Sequence, residues 1–264
     1  ARGCPFNCNY CVRTYGQEVA YRSPESIISE ITDIVKLGID KVRFLDDTFS
    51  IRKDRVLSIC QKIIEHKLKI DWTALSRVDT VDEEALAAMK AAGCRRLYLG
   101  IESGSQKVLD YYQKGYDRDL LKKKAGLIKG AGIELAAFFL VGAPIETKDD
   151  LRLSMSLARE IDFDYIIVTK LTLYPGTDLF AKNKDEADFQ LFPYKNQFKD
   201  LRRESEVIDW ERQFYISFYF RPAYLKIAIR NFLKRPKGFC IDIFNFLSFL
   251  FFSRAGEKEH KDYL

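Results

Sequence analysis

Histidine is nearly absent from this 264-residue chain, which holds only His66 and His260. No histidine pair stands at zinc-ligand spacing, and the six cysteines supply no second pair to complete a zinc site. Six cysteines are also too few for a disulfide scaffold of this length. No stretch reaches the ~18 uninterrupted apolar residues of a membrane span, and the most apolar run, 239–252, is broken by Asp242 and Asn245. A spanning helix is therefore not expected. The N-terminus carries no leader-like pattern, so the expected location is a reducing, cytoplasmic compartment, where clustered cysteines more often bind metal.

What is present is ordinary globular composition, 47% hydrophobic and 31% charged, which excludes disorder and collagen-like repeats. The 43 basic residues exceed the 38 acidic ones by a small margin for this length, and the whole excess lies in 221–264. A balanced body gives no nucleic-acid footprint, and no nucleic-acid partner is expected.

Strand and helix patterns alternate from residue 23 onward. Ser23-Pro24 reads as a cap followed by proline at the first helical position, with Ile27, Ile28, Ile31, Ile34 and Val35 at helical spacing. Strands are predicted over 41–46, 70–76, 95–101, 133–141 and 165–173, separated by helical segments; the segment 133–141 is apolar on both faces, as a covered parallel strand should be. This alternation implies right-handed βαβ units and a parallel sheet, either doubly wound or curled toward a barrel. In both cases functional groups belong at the C-terminal strand ends, around Asp46-Asp47, Arg77, Glu102-Ser103, Gly142-Pro144 and Pro175-Gly176. The alternation stops near 178. The rest, rich in phenylalanine, reads as a helical C-terminal subdomain, giving domains 1–178 and 179–264.

Cys4, Cys8 and Cys11 place three thiols within eight residues, flanked by Gly3 and Pro5, which suits a loop wrapped round a metal centre. An ordinary four-iron cluster takes four cysteines, so three with no obvious fourth leave one iron open to a ligand. A non-catalytic iron–sulfur electron carrier, or another metal-binding module, uses the same thiols and is the alternative reading.

A C-x₃-C-x₂-C loop opening a βα series resembles the radical S-adenosylmethionine (SAM) superfamily, in which the open iron is chelated by SAM. Four later segments extend the resemblance to about residue 180: Phe44-Leu45-Asp46-Asp47, Gly100-Ile101-Glu102-Ser103-Gly104, Val141-Gly142-Ala143-Pro144-Ile145-Glu146-Thr147 and Tyr174-Pro175-Gly176-Thr177. The resemblance implies an α/β fold, a partial (β/α)6 TIM-like barrel lacking its first strand, since only three residues precede Cys4. It implies a 4Fe-4S cluster on Cys4, Cys8 and Cys11, and SAM beside Tyr10, Asp46 or Asp47, Glu102, Ser103, Gly142 and Pro144. It also implies reductive SAM cleavage to a 5′-deoxyadenosyl radical, and an electron donor of flavodoxin or ferredoxin type. The pattern is most similar to the branch with an N-terminal cobalamin-binding domain, which includes methyltransferases and the anaerobic porphyrin ring cyclase; cobalamin would then be bound by a domain outside this sequence.

Plainer roles are weighed beside these. Strand-end carboxylates also cap helices, and Gly142 and Pro144 also shape turns. Arg77 ends the third barrel strand, where a partner for the SAM carboxylate would sit. Cys60 and Cys94 fall on apolar faces as buried small hydrophobes, and Tyr111, Tyr112 and Tyr116 are expected to pack rather than bind. In the tail, basic residues from Arg221 to Lys237 precede the apolar run. That pattern suits either a helical cap or a peripheral membrane contact through 221–252.

Overall fold

A computed structural model describes residues 1–186 and 204–234, with 236, 239–241, 243 and 244 beyond them. Five parallel strands form one sheet, β1 (Lys41–Phe44), β2 (Asp71–Ser76), β3 (Cys94–Glu102), β4 (Glu134–Val141) and β5 (Tyr165–Lys170), in the order 1-2-3-4-5. Each connection steps to the next neighbour in the same direction. A doubly wound sheet would have to reverse that direction once, so the order selects the singly wound arc of a partial barrel. The fold is α/β.

Two strands end earlier than the pattern suggests. β1 stops at Phe44 because Asp46 and Asp47 turn to bind other segments. β5 stops at Lys170 because its neighbour β4 ends at Val141, which leaves the following residues no further ladder partner.

The helices begin where the sequence supplies caps. Ser23 accepts the Ser26 N–H at 3.2 Å ahead of α1 (Pro24–Lys36), whose Ile27, Ile28 and Ile31 are buried. Val56, Ile59, Cys60 and Ile63 form the buried face of α2 (Lys53–Glu65). Asp82 and Asp117 cap α3 (Glu83–Ala91) and α5 (Arg118–Gly130). One row of the sheet, Ser76–Leu99–Ala137–Ile166, is buried throughout, while in the adjacent row Leu75, Tyr98 and Tyr165 are half-buried and Ala136 alone is fully buried. Each fully buried leucine or phenylalanine of this core contributes about 1.5–3 kcal/mol.

Backbone packing divides the chain into two compact units, 1–211 and 212–264. The first holds the sheet. The second holds α9 (Tyr224–Lys234) and the later turns of α8 (Glu204–Tyr219), with Phe214 and Phe218 buried. Among the described residues no helix is long and apolar enough to cross a membrane. Residues 245–252 of the apolar run lie outside the described residues.

Helix α6 (Lys148–Glu160) opens with a capping box that also holds the loop after β3. Asp150 accepts from the Thr147 N–H at 2.8 Å, the Thr147 hydroxyl at 2.7 Å and the Ser105 hydroxyl at 2.6 Å, and pairs with Lys107 at 2.5 Å. Burial raises its pKa, but the bonds from Lys107, Ser105 and Thr147 outweigh burial and hold the carboxyl at about 2. Because the folded value lies below the unfolded one (~3.9), this stabilisation is complete above about pH 4 and is lost as pH falls toward 2. Asp150→Ala is expected to cost about 1–2 kcal/mol at neutral pH and to flatten acid denaturation in that window, read by urea unfolding at several pH values.

Candidate metal and cofactor site

The cysteine loop crosses the C-terminal rim of the sheet and is tied to three strand exits. The Gly3 N–H donates to Asp47 after β1 at 2.9 Å. The Asn9 N–H donates to the Tyr112 carbonyl at 3.3 Å, at the end of α4 (Gln106–Tyr111) after β3. The Leu179 N–H, in α7 (Asp178–Asn183) after β5, donates to the Asn9 carbonyl at 2.9 Å. Gly3 has φ +97°, and a Cβ there would stand 2.2 Å from the Glu18 carbonyl oxygen, so only glycine fits.

Cys4, Cys8 and Cys11 are all free thiols, half-buried, buried and exposed in turn. Although Cys11 is exposed as a residue, atoms crowding its sulfur, then the charges of Cys8 and Cys4, push its thiol up to about 11. The Cys11 N–H donates to the Cys8 carbonyl at 3.2 Å, so the loop turns back on itself between its second and third thiols. Among the described residues no three His, Cys, Asp or Glu side chains converge on a single ion. A cluster does not require such convergence, because each thiolate ligates its own iron. The set of three adjacent thiols therefore fits an iron–sulfur cluster.

Beside the thiols, β3 ends irregularly. Its register with β4 shifts between Gly100 and Glu102, Glu102 takes φ +65°, and the Ser103 N–H reaches the Ile101 carbonyl at 2.9 Å in a three-residue turn. The turn sends the Glu102 carboxylate to the Tyr10 hydroxyl at 2.8 Å and the Lys114 ammonium at 3.1 Å. Gly100 leaves room for it, since a Cβ there would lie 2.6 Å from Glu102 Oε1. Burial lowers the Lys114 pKa, but Tyr116, Glu102 and Cys8 outweigh burial and keep the ammonium charged. Burial, then Glu102 and Cys8, hold the Tyr10 phenol well above its ordinary value, so it stays a neutral donor. A buried cation, a carboxylate and a phenol thus face the region of the thiols.

Residues 1–158 match the family model of the Radical SAM superfamily. The chain belongs to this superfamily. It is 33% identical over 252 residues to an uncharacterized methyltransferase of Pyrococcus horikoshii, covering 91% of this chain and 54% of the relative. It is 27% identical to the anaerobic magnesium-protoporphyrin IX monomethyl ester cyclase of Rubrivivax gelatinosus, covering 90% and 44%. The chain thus spans about half the length of these curated relatives. Among solved structures, the apo form of the cobalamin-dependent SAM radical enzyme OxsB superposes with TM-score 0.68 at 16% identity, over 95% of this chain and 45% of that one. The radical SAM methyltransferase TsrM of Kitasatospora setae, with cobalamin and a [4Fe-4S] cluster bound, gives 0.65 at 20%, over 69% and 38%. At these identities the likeness is one of fold.

Within the radical SAM core, the residues singled out from sequence divide into two groups. Tyr10 and Glu102 meet directly, and Asp47 reaches the loop at Gly3. The others are engaged in holding backbone or in ion pairing. Ser103 accepts from the Ser105 N–H at 3.1 Å and pairs with the Ser154 hydroxyl at 3.1 Å, which docks the β3 exit on α6. Gly142 has φ +93°, and its N–H donates to the buried Glu146 carboxylate at 2.6 Å across the turn that contains Pro144. Asp46 is buried and pairs with Arg55 at 3.2 Å.

Lys114, Arg55 and Glu146 were not singled out as site residues. A lone lysine or arginine carries no spacing signal, whereas Glu146 lay inside a quoted segment. Tyr112 packs as expected, fully buried and edge-on to Tyr10 at 4.9 Å, while the Tyr116 hydroxyl donates to the Gly100 carbonyl at 2.7 Å. Cys60 and Cys94 are buried, and burial pushes the Cys60 thiol up to about 12 and the Cys94 thiol higher.

Proposed function

We propose that this protein is a radical SAM enzyme whose 4Fe-4S cluster is held by Cys4, Cys8 and Cys11 and whose SAM lies against Tyr10, Glu102 and the strand-end turns at Ser103 and Gly142-Pro144. The observation that carries the reading is the placement of three free thiols beside the Tyr10–Glu102–Lys114 group at the C-terminal rim of a parallel sheet. When bound, the cluster and SAM supply reductive cleavage to methionine and a 5′-deoxyadenosyl radical, with the electron delivered by a donor of flavodoxin or ferredoxin type. This chain's part is to hold the thiolates together and to present the Lys114 ammonium and the Glu102 carboxylate as complements to the two charges of an amino-acid group. The Gly142 turn presents backbone beside them.

The relatives named as methyltransferase and cyclase, and the fold likeness to enzymes described with cobalamin, support cobalamin-dependent methyl transfer or ring formation on an unidentified substrate. The cofactor residues lie in the core. The working location is the cytoplasm. Anaerobic reconstitution, with iron and sulfide counted and EPR recorded with and without SAM, tests the reading. A four-iron spectrum that shifts with SAM is expected. A cluster indifferent to SAM would favour the electron-carrier alternative, and no cluster would remove both.

A second proposal concerns α9. Leu225, Ile229, Phe232 and Leu233 recur at helical spacing and are exposed, with exposed Lys226 and Arg230 beside them. An anionic lipid surface complements that pairing of apolar and basic residues, with the helix lying in the interface. Co-sedimentation with anionic vesicles at low salt is expected; absence of binding there rejects the contact.

A further inference from the structure

Arg77 leaves β2 at the rim, and its guanidinium is fixed from several sides. Nε and Nη2 form a fork on Asp79 at 2.8 and 2.7 Å, Nη2 also donates to the Lys114 carbonyl at 2.6 Å, and the group is buried. The Phe6 ring, between Cys4 and Cys8 in the loop, lies 3.8 Å from the guanidinium carbon, with Tyr116 at 5.2 Å. Nη1 donates to the Cys8 sulfur at 3.5 Å.

The backbone under Arg77 is fixed as well. The Thr80 hydroxyl donates to the Arg77 carbonyl at 2.9 Å, so it must accept from Ser50, which in turn accepts from Ser76. A buried hydroxyl chain with one direction therefore ends on Arg77. None of these bonds requires a SAM molecule: the fork on Asp79 occupies one bidentate edge of the guanidinium, and the bonds to Cys8 and the Lys114 carbonyl occupy the other, which leaves no free fork for a carboxylate of SAM.

We infer that Arg77 is a positioning and tuning residue for the cluster: it donates a charge-assisted hydrogen bond to the Cys8 thiolate and thereby holds the cluster's reduction potential above the value the three thiolates alone would give. The inference rests on the proposed cluster assignment. A hydrogen bond and a fixed positive charge at a ligand sulfur favour the more negative, reduced state, and such bonds are among the determinants of iron–sulfur potentials. Arginine suits the task because it stays charged at any working pH, and its planar fork lets Asp79 aim one nitrogen while two others are held. Lysine would offer charge without that aim.

The test compares the full wild-type chain with Arg77→Gln, Arg77→Lys and Asp79→Asn, each reconstituted anaerobically. EPR-monitored potentiometry and ENDOR of the reduced cluster are read beside iron and sulfide content. The expected result is an unchanged cluster with a lower midpoint in Arg77→Gln, about tenfold in the reduction equilibrium or ~59 mV for one electron. An exchangeable proton coupling present in the wild type should be missing there. Arg77→Lys should recover part of the potential, and Asp79→Asn should shift it less, in the same direction. If Arg77→Gln fails to assemble, the Lys and Asn variants carry the same comparison. Equal potentials and an unchanged coupling overturn this inference alone. A wild-type chain that binds no cluster overturns the functional reading and this inference with it.

Discussion

Cys8→Ala is expected to remove the cluster outright: iron and sulfide fall to background, the reduced EPR signal disappears, and no 5′-deoxyadenosine forms from SAM. Three protein thiolates leave no redundancy, so losing one leaves two irons without a protein ligand. Neither of the other cysteines of this unit can take over. Cys60 and Cys94 are buried in the core, at 0% and 1% exposure, with their thiols pushed up by burial. Cys60→Ala is the matched control, retaining the cluster while losing about 1 kcal/mol of stability to a small cavity. Urea unfolding of the apo chain separates loss of the cluster from loss of the fold, since both variants should lose about 1 kcal/mol and stay folded while only Cys8→Ala loses the cluster. A full cluster in Cys8→Ala would reject the ligand assignment.

The second large effect is expected at the Glu102–Lys114 pair. Both side chains are buried, at 8% and 3% exposure, and 3.1 Å apart. Glu102→Gln keeps a hydrogen-bonding group for Tyr10 but leaves the Lys114 ammonium without its charged partner. Breaking one side of a buried pair costs about 3–5 kcal/mol, whereas replacing both sides costs much less. The double variant Glu102→Gln/Lys114→Met should therefore be more stable than Glu102→Gln alone, a coupling that a double-mutant cycle of urea unfolding reads directly. The sign with pH follows from the raised Lys114 value. On the lysine side, the contribution is present below the unfolded lysine pKa (~10.4) and is lost in stronger alkali, so the difference between wild type and Glu102→Gln should shrink there. SAM binding should be lost in both variants, because the single variant removes one of the two buried charges and the double variant removes both.

Much of the candidate site was legible because the chemistry proposed for it needs particular residues close in sequence. Three cysteines in one loop, and a glycine-flanked acid at a strand end, announce themselves through spacing. The order of the strands was not legible, because alternation fixes that the sheet is parallel and not which way each crossover turns. Lys114 was hidden for a different reason: it reaches Glu102 only because α4 folds the chain back after β3, and a turn of that kind leaves no periodic mark. Arg77 was visible as a strand-end cation, but its partner could not be read. Whether such a group meets a ligand or a cysteine sulfur depends on where Asp79 and Phe6 hold its plane. Ser103 and Asp46 show the converse, strand-end polar groups that fold-internal partners occupy.

Position 102 carries a consequence for selection. Its φ of +65° belongs to glycine and, among side-chain residues, to asparagine and aspartate, so glutamate is held there against its backbone preference. A saturation library screened only for folded, soluble protein should accumulate glycine and asparagine at this codon. The same library screened for SAM turnover should return glutamate, and the divergence between the two enrichment profiles measures how far the demand for a reaching carboxylate outweighs the demand for a relaxed chain.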